Sequence, residues 1–223
     1  MGELRESKKQ ATRERISDVA TALFHERGFD AVTIEEIAQA AKVSKMTVTN
    51  YFARKEELML DREDDLKLVP LRAALRERPR GQSLVDTVRA HLRGQHEQRK
   101  AIARIDHQTV AWWRVVTASA ALRSRLRELA DEAAEGLAIE LAGPEPDGRA
   151  RLLGALIVLT VRTAREEAIR LAASGASAKK VSAAFLAQME VGLAAVQAVA
   201  TEESRAGGQA RGTGREAGGT PRG

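Results

Sequence analysis

Hydrophobic residues recur at helical spacing along most of this chain, and no stretch shows the convincing two-residue alternation of a β-strand. Residues 7–27 carry an apolar stripe with the spacing of one helical face, at Ile16, Val19, Ala20, Leu23 and Phe24. Gly28 follows the stripe, and glycine readily adopts the left-handed conformation that ends a helix. The pattern predicts an all-α fold with about nine helices.

Two short helices are predicted after Gly28. Thr33 is placed to cap the first, and Glu36, three residues later, completes a capping box. Ser44 is placed to cap the second, over residues 45–52. Helices of this length are marginal in isolation, so both must pack against the preceding helix. The sequence thus predicts a helix-turn-helix motif over residues 33–52.

The helical pattern continues from a long charged helix beginning near Lys55 to about residue 201. Glycine and proline mark loops at residues 79–81 and 143–148, and residues 152–161 are apolar on every side, which predicts a buried helix. Residues 202–223 hold seven glycines and no large apolar residue, a composition typical of disorder.

The chain is therefore expected to contain three parts. A three-helix domain with the helix-turn-helix would occupy residues 1–55. A larger helical domain would occupy residues 56–201, and a disordered Gly/Arg-rich tail would follow at residues 202–223.

Charge changes this picture only locally. The net charge is +5, yet residues 1–60 hold ten basic and ten acidic side chains. Between Lys42 and Lys55 there are basic residues and no acid, so positive charge is concentrated at the second short helix. The side chains on its outward face are mostly polar and short, a composition that suits a helix lying in the major groove of DNA.

Several classes of function are disfavoured by the sequence. The chain has no cysteine, its four histidines lack the spacing of a zinc site, and no Gly-rich loop follows a strand, so we expect no metal, no cofactor and no enzyme. The acids Asp61, Glu63, Asp64 and Asp65 are better explained as a solvated helix start than as a metal site. The longest strongly apolar stretch has ten residues, whereas about 20 span a bilayer, so we expect a cytoplasmic protein without a membrane partner.

Residues 10–60 hold a dense set of residue types at fixed spacings: Ala22-Leu23-Phe24, Gly28-Phe29, Thr33-Ile34, Ile37-Ala38, Val43-Ser44-Lys45, Thr47-Val48, Tyr51-Phe52 and Lys55-Glu56-Glu57-Leu58. This set resembles the N-terminal domain of TetR-family transcriptional repressors. The chain departs from the family pattern at Lys42, where the family usually has glycine in the turn. A left-handed backbone there would cost on the order of 1 kcal/mol. Met46, Thr49 and Ala53 also differ from the common family residues.

Roles in DNA binding follow from side-chain chemistry together with this resemblance. Lys45 can donate to guanine, Asn50 can pair with adenine, and the methyl groups of Met46, Thr47 and Thr49 can contact thymine. Helix starts at Thr33 and Lys55 favour phosphate, and Tyr51 matches a phosphate-contacting position of the family. The predicted DNA-binding residues are Thr33, Ser44, Lys45, Met46, Thr47, Thr49, Asn50, Tyr51 and Lys55.

The resemblance also implies an effector pocket among the middle helices and a dimer interface from the last two helices. For the pocket we nominate Ile105, His107, Trp112, Trp113, Val116, Leu156, Leu159 and Arg162. For the interface we nominate Leu152, Leu156, Phe185, Met189, Leu193 and Val196. Ordinary packing within one chain is the alternative for both sets.

These inferences predict a homodimeric repressor that binds a palindromic double-stranded DNA operator and leaves it when a small hydrophobic or amphipathic effector binds. One alternative is an architectural DNA-binding protein without a ligand. The other, disfavoured by the missing motifs, is an all-helical enzyme.

Overall fold

The computed structural model describes residues 2–61, 63–100 and 102–212. These residues form ten α-helices, one 3₁₀ turn and no strand, which confirms the all-α expectation. The elements are α1 (Gly2–Arg27), α2 (Ile34–Ala40), α3 (Lys45–Tyr51), the 3₁₀ turn (Lys55–Leu58), α4 (Glu63–Leu66), α5 (Val69–Arg76), α6 (Leu84–Glu97), α7 (His107–Ala118), α8 (Ala120–Ala142), α9 (Gly148–Ala173) and α10 (Ala178–Gly212).

The two short helices begin at the caps that the sequence predicted. The Thr33 side chain accepts a hydrogen bond from the Glu36 backbone N–H, and the Glu36 carboxylate accepts one from the Thr33 N–H at 2.8 Å. The Ser44 hydroxyl accepts a hydrogen bond from the Thr47 N–H at 3.0 Å. Both caps satisfy backbone donors that have no partner within the first turn.

The first hydrophobic core joins the N-terminal helices to the α7–α8 end of the chain. From α1 to the 3₁₀ turn it includes Ile16, Phe24, Ile37, Val48, Phe52 and Leu58. Val116, Leu122 and Leu129 of α7 and α8 are part of the same core and are fully buried. The three-helix unit therefore does not close on itself, and its last wall comes from the larger helical domain.

A second core fills the rest of the molecule. It is built by α5, α6, α8, α9 and α10, and its large side chains include Leu71, Val88, Leu92, Leu137 and Ile157. In the apolar stretch of α9 the sides that face α8 and α10 are buried, whereas Leu152, Ala155 and Leu159 are exposed. The expectation of a buried helix over residues 152–161 is therefore met only in part.

The long helix predicted from Lys55 is wrong. The chain instead forms the 3₁₀ turn, a one-turn α4 and a two-turn α5, separated by non-helical residues. Leu68, which precedes α5, has a left-handed backbone with φ 53°. Pro70 lies in the first turn of α5, where its missing N–H is harmless, but a proline cannot continue a helix from upstream.

Glycines set the closest helix contacts. A Cβ atom on Gly154 of α9 would collide with the Ala134 carbonyl oxygen of α8, and one on Gly192 of α10 would collide with the Thr160 side chain of α9. The three longest helices of the larger domain therefore approach each other at positions where no side chain fits.

The last helix combines high hydropathy with low burial. Its segment Ala178–Thr201 has a mean hydropathy of 1.5 and is long and apolar enough to cross a membrane by length and composition, the one such helix in the described part of the chain. Alanines raise this value, whereas our expectation counted only strongly apolar runs. Only 22% of the scored stretch is buried, so one long face of α10 is uncovered. The helix extends to Gly212, within the predicted tail, and residues 213–223 lie outside the described part.

We expect Gly154→Ala to lower the free energy of unfolding by about 1–3 kcal/mol, because the added methyl group meets a backbone oxygen that cannot rotate away. Urea denaturation of the purified protein measures this. Gly94→Ala in α6 is the matched control, since its Cβ meets nothing within 4 Å and alanine favours the helix. Equal effects of the two substitutions would mean that the α8–α9 contact is loose.

Candidate DNA-binding surface and internal cavity

One face of α3 is anchored and the opposite face is exposed. Val48 is buried in the first core, and Phe52 at the end of the helix is also buried. Lys45, Thr49 and Asn50 are exposed, and Met46 is 71% exposed, the largest value among the exposed large hydrophobic residues of the described chain. The seven-residue helix α3 thus exposes a mostly polar face, and its opposite face is held in place by the first core.

The hydroxyl groups at α3 form hydrogen bonds with neighbouring residues, whereas the side-chain amide of Asn50 forms none with a described residue. Ser44 and Thr47 share a hydrogen bond of 2.8 Å between their hydroxyls, and Thr49 donates to the Met46 carbonyl at 3.1 Å. No described residue forms a hydrogen bond with the Asn50 side chain. Asn50 can therefore offer its donor and acceptor to an external partner, while Thr47 and Thr49 offer mainly their methyl groups.

Lys45 carries an acidic neighbour that the sequence reading did not pair with it. Its ammonium group forms an ion pair with Glu35 of α2, and this hydrogen bond holds the pKa of Glu35 below its ordinary value. Both side chains are well exposed, so the pair contributes little stability. Contact between Lys45 and a base would require this exposed pair to open.

Lys55 points into the protein. Its ammonium group donates to the Phe29 carbonyl at 2.6 Å and lies 4.3 Å from the centre of the Phe29 ring. Burial lowers the pKa of Lys55, since desolvation disfavours the charged form. In this position Lys55 ties the loop after α1 to the 3₁₀ turn.

The other two predicted phosphate positions lie at the edge of the same surface. The Thr33 hydroxyl takes part in the capping box and donates to Glu36 at 2.8 Å. Tyr51, the last residue of α3, is partly exposed. Lys42 in the turn has φ 56°, so the backbone is left-handed where the family usually has glycine.

A cavity of about 860 Å³ lies between α1, the segment 59–68, α7, α8 and α9. Its wall includes four of the nominated pocket residues: His107, Trp112, Trp113 and Arg162. The other four are placed elsewhere and need correction. Val116 is buried in the first core, Ile105 and Leu156 pack against the second, and Leu159 is exposed.

The sequence reading missed the contribution of α1 to this cavity. Ser17, Thr21 and His25 line it, and their four-residue spacing places them in one row along the helix. That polar row beside the apolar stripe was the available signal. Asp61 and Arg165 were also missed, because nothing local brings residues so distant in sequence to one wall.

Hydrogen bonds link the cavity wall to the N-terminal unit. Trp112 Nε1 donates to the Met59 carbonyl at 3.0 Å, and the buried Ser17 hydroxyl donates to Asp61 Oδ2 at 2.8 Å. The guanidinium of Arg165 donates to the Ile102 carbonyl, and burial lowers its pKa to about 10. Within the described ranges no group of three histidines or acids is arranged to hold a metal ion.

The nominated dimer residues divide into two sets. Phe185, Met189, Leu193 and Val196 are buried within the second core of a single chain, and Leu156 packs against it. The nomination of these four buried residues needs correction, because a side chain already buried has no surface left to cover against a second copy, whereas Leu156 is only partly buried. Leu152 is exposed, as are Leu159 and Val191.

The capping box of α2 predicts an acid-dependent stability. Hydrogen bonds to the Glu36 carboxylate, led by the Thr33 N–H and then by Arg27, lower the pKa of Glu36 to about 2. Because folding lowers this pKa, the stabilisation is complete above the ordinary value of 4.5 and is lost as the pH falls towards 2.

We therefore expect the difference in unfolding free energy between the wild type and Glu36→Gln to shrink as the pH falls from about 6 to about 3. Denaturation of the DNA-free protein at several pH values measures it. Glu145→Gln, in the exposed loop before α9, is the control and should give a pH-independent difference. A constant difference for Glu36→Gln as well would show that the carboxylate is not engaged.

Comparison with known proteins identifies relatives of the N-terminal unit. The family described as "Bacterial regulatory proteins, tetR family" matches residues 16–61. The transcriptional regulator TcmR of Streptomyces glaucescens is 36% identical over 80 residues, which are 36% of this chain and 35% of TcmR. The uncharacterized regulator YdeS of Bacillus subtilis is 40% identical over 52 residues, which are 23% of this chain and 26% of YdeS. The matches thus span about a quarter to a third of these relatives.

The similarity in fold extends further than the similarity in sequence. A crystal structure of a TetR-family transcriptional regulator from Mesorhizobium loti superposes with a TM-score of 0.51 and 20% identity. The alignment covers 84% of this chain and 97% of that one. At this identity the likeness concerns the fold, and it includes the helices that follow residue 61.

Proposed function

We propose that the chain is a TetR-family regulator whose DNA-binding domain includes residues 16–61, and that it represses transcription as a homodimer released from its operator by a small molecule. The observation that carries the proposal is the outward face of α3. It is exposed, rigidly backed by a buried core, and rich in groups that complement base edges. The proposed site of action is the cytoplasm, and no catalytic role is proposed.

On this proposal α3 is the recognition helix. Asn50 pairs with adenine, Lys45 leaves Glu35 to donate to guanine, and Met46, Thr47 and Thr49 contact thymine methyl groups. Ser44, Thr33 and Tyr51 surround these residues and contact the phosphate backbone. Lys55 acts indirectly by holding the loop after α1 in place, since its ammonium group faces Phe29.

The proposed dimer forms through the uncovered faces of α9 and α10. Leu152 and Leu159 are exposed on α9, and Val191, at 65% exposure, stands among exposed alanines on α10. Small side chains on a long helix allow another helix to approach closely. Two recognition helices brought together in this way match a palindromic operator, and joint binding gives an affinity that one seven-residue helix cannot supply.

The proposed effector site is the cavity at the junction of the two hydrophobic cores. Its volume of about 860 Å³ lies within the range of small-molecule sites. The wall combines apolar groups such as Leu66 and Val158 with about as many polar and charged ones, which fits an amphipathic ligand. Since α1 and α7 both contribute, a ligand there contacts the DNA-binding unit directly.

The first test is the DNA sequence that the purified protein selects from a random pool. Once an operator is known, we expect Asn50→Ala to lose about 1–3 kcal/mol of binding free energy at one base pair and little on non-specific DNA. Fluorescence anisotropy on single-base variants of the operator measures this.

Gln39→Ala is the matched control, because Gln39 is an exposed amide on α2 outside the proposed surface. It should leave the affinity for every sequence unchanged. An equal loss on all sequences for Asn50→Ala would show that Asn50 positions the helix without reading a base.

The dimer prediction concerns Val191. We expect Val191→Arg to raise the dimer dissociation constant on the order of a hundredfold, because a charge placed in an apolar contact lacks a partner. Analytical ultracentrifugation measures this. Val69→Arg changes an exposed valine on α5 and should leave the dimer intact. A dimer unaffected by Val191→Arg would place the interface away from this face of α10.

A further inference from the structure

The arginines on the cavity wall are already matched by acids. Each of the three has an acidic side chain close enough for an electrostatic interaction. The matched groups are Arg104 with Asp106 at 3.1 Å, Arg162 with Glu166 at 3.7 Å, and Arg165 with Asp65. None of these arginines therefore offers an uncompensated positive charge to a ligand.

Two further acids line the same cavity. Asp61 accepts a hydrogen bond from Ser17, which carries no charge, and Asp18 follows Ser17 on α1. Among the described residues neither carboxylate has a cationic partner. The lining side chains thus include four acids and three arginines, and the two acids without a cationic partner among the described residues lie on the side formed by α1 and the segment after the 3₁₀ turn.

Another part of the cavity wall is aromatic. Trp112 and Trp113 both line it, with ring centres 6.1 Å apart. The face of an indole ring attracts cations, and the attraction strengthens where water is partly excluded. Apolar side chains, including Met59 and Val158, complete the wall.

We propose that the cavity selects lipophilic cations: an ammonium, phosphonium or similar positive centre attached to an apolar body. This inference rests on the proposed effector role of the cavity and specifies the ligand class. Asp61 and Asp18 supply the opposing charge, and the tryptophans contact the apolar body and the delocalised positive charge. A carboxylate ligand, by contrast, would meet two acids that no described residue neutralises.

The position of Asp61 also allows a bound ligand to affect the position of α1. The Ser17 hydroxyl is buried, and Asp61 is its hydrogen-bond partner. A cation drawn to Asp61 competes for that carboxylate, and a buried hydroxyl without a partner is unfavourable. Movement of α1 relieves the conflict, and α1 shares the first hydrophobic core with α2 and α3.

The test uses two probes of the same shape and opposite charge, tetraphenylphosphonium and tetraphenylborate. Isothermal titration calorimetry on the full chain measures both affinities. We expect saturable binding of the phosphonium, with at least about a tenfold preference over the borate. Tryptophan emission should change on binding, since Trp112 and Trp113 are the two tryptophans of the chain.

Two variants test which carboxylates attract the cation. Asp61→Asn keeps an acceptor for Ser17 and should weaken phosphonium binding by about tenfold. Asp18→Asn changes an exposed residue and should weaken it as well, which keeps the test valid if Asp61→Asn fails to fold. Glu145→Gln is the matched control, because it removes an acidic charge from an exposed residue outside the cavity wall. Its effect should be smaller than that of either aspartate.

Failure of this inference is distinct from failure of the effector role. No saturable phosphonium binding, equal binding of both probes, or aspartate variants with wild-type affinity would each overturn the charge selectivity. Selective phosphonium binding that leaves operator affinity unchanged would support the selectivity and contradict the proposed coupling to DNA release.

Discussion

The contact between the short N-terminal helices and the α7–α8 end of the chain is the constraint on which the rest of the structure depends. α2 and α3 have seven residues each, too few to be stable alone. Their core becomes complete only with Val116, Leu122 and Leu129 from about 60 to 90 residues further along the chain. The position of the exposed face of α3 therefore depends on α7 and α8.

This shared core also explains the position of the cavity. Helix α1 packs its apolar stripe into the core and turns its polar row, which includes Ser17 and Thr21, towards the cavity. α7 does the same, since Val116 is buried in the core while Trp113 lines the cavity. Helices α1 and α7 thus belong both to the first core and to the cavity wall, so a ligand in the cavity would contact helices that share a core with α3.

Features that depend on neighbours in sequence could be predicted, and those that depend on partners could not. The caps at Thr33 and Ser44 follow from local hydrogen bonding, and both are present. Periodicity identified the apolar face of α10 but not what covers it, so Leu193 was assigned to a second subunit although α9 and neighbouring helices bury it. The polar row of α1 was visible in the sequence, but which residues from other helices complete the cavity wall with it depends on tertiary contacts.

The broken segment between the 3₁₀ turn and α5 determines what kind of mechanical signal can pass along the backbone. A single long helix would act as a stiff rod that transmits rotation and bending over its length. Here α4 and α5 are separate short helices joined at Leu68, whose backbone is left-handed. A displacement along the chain can pass through this joint, whereas a rotation of one helix about its axis is not transmitted to the next. A rotation of α3 must therefore be transmitted through side-chain contacts between packed helices and not along the backbone.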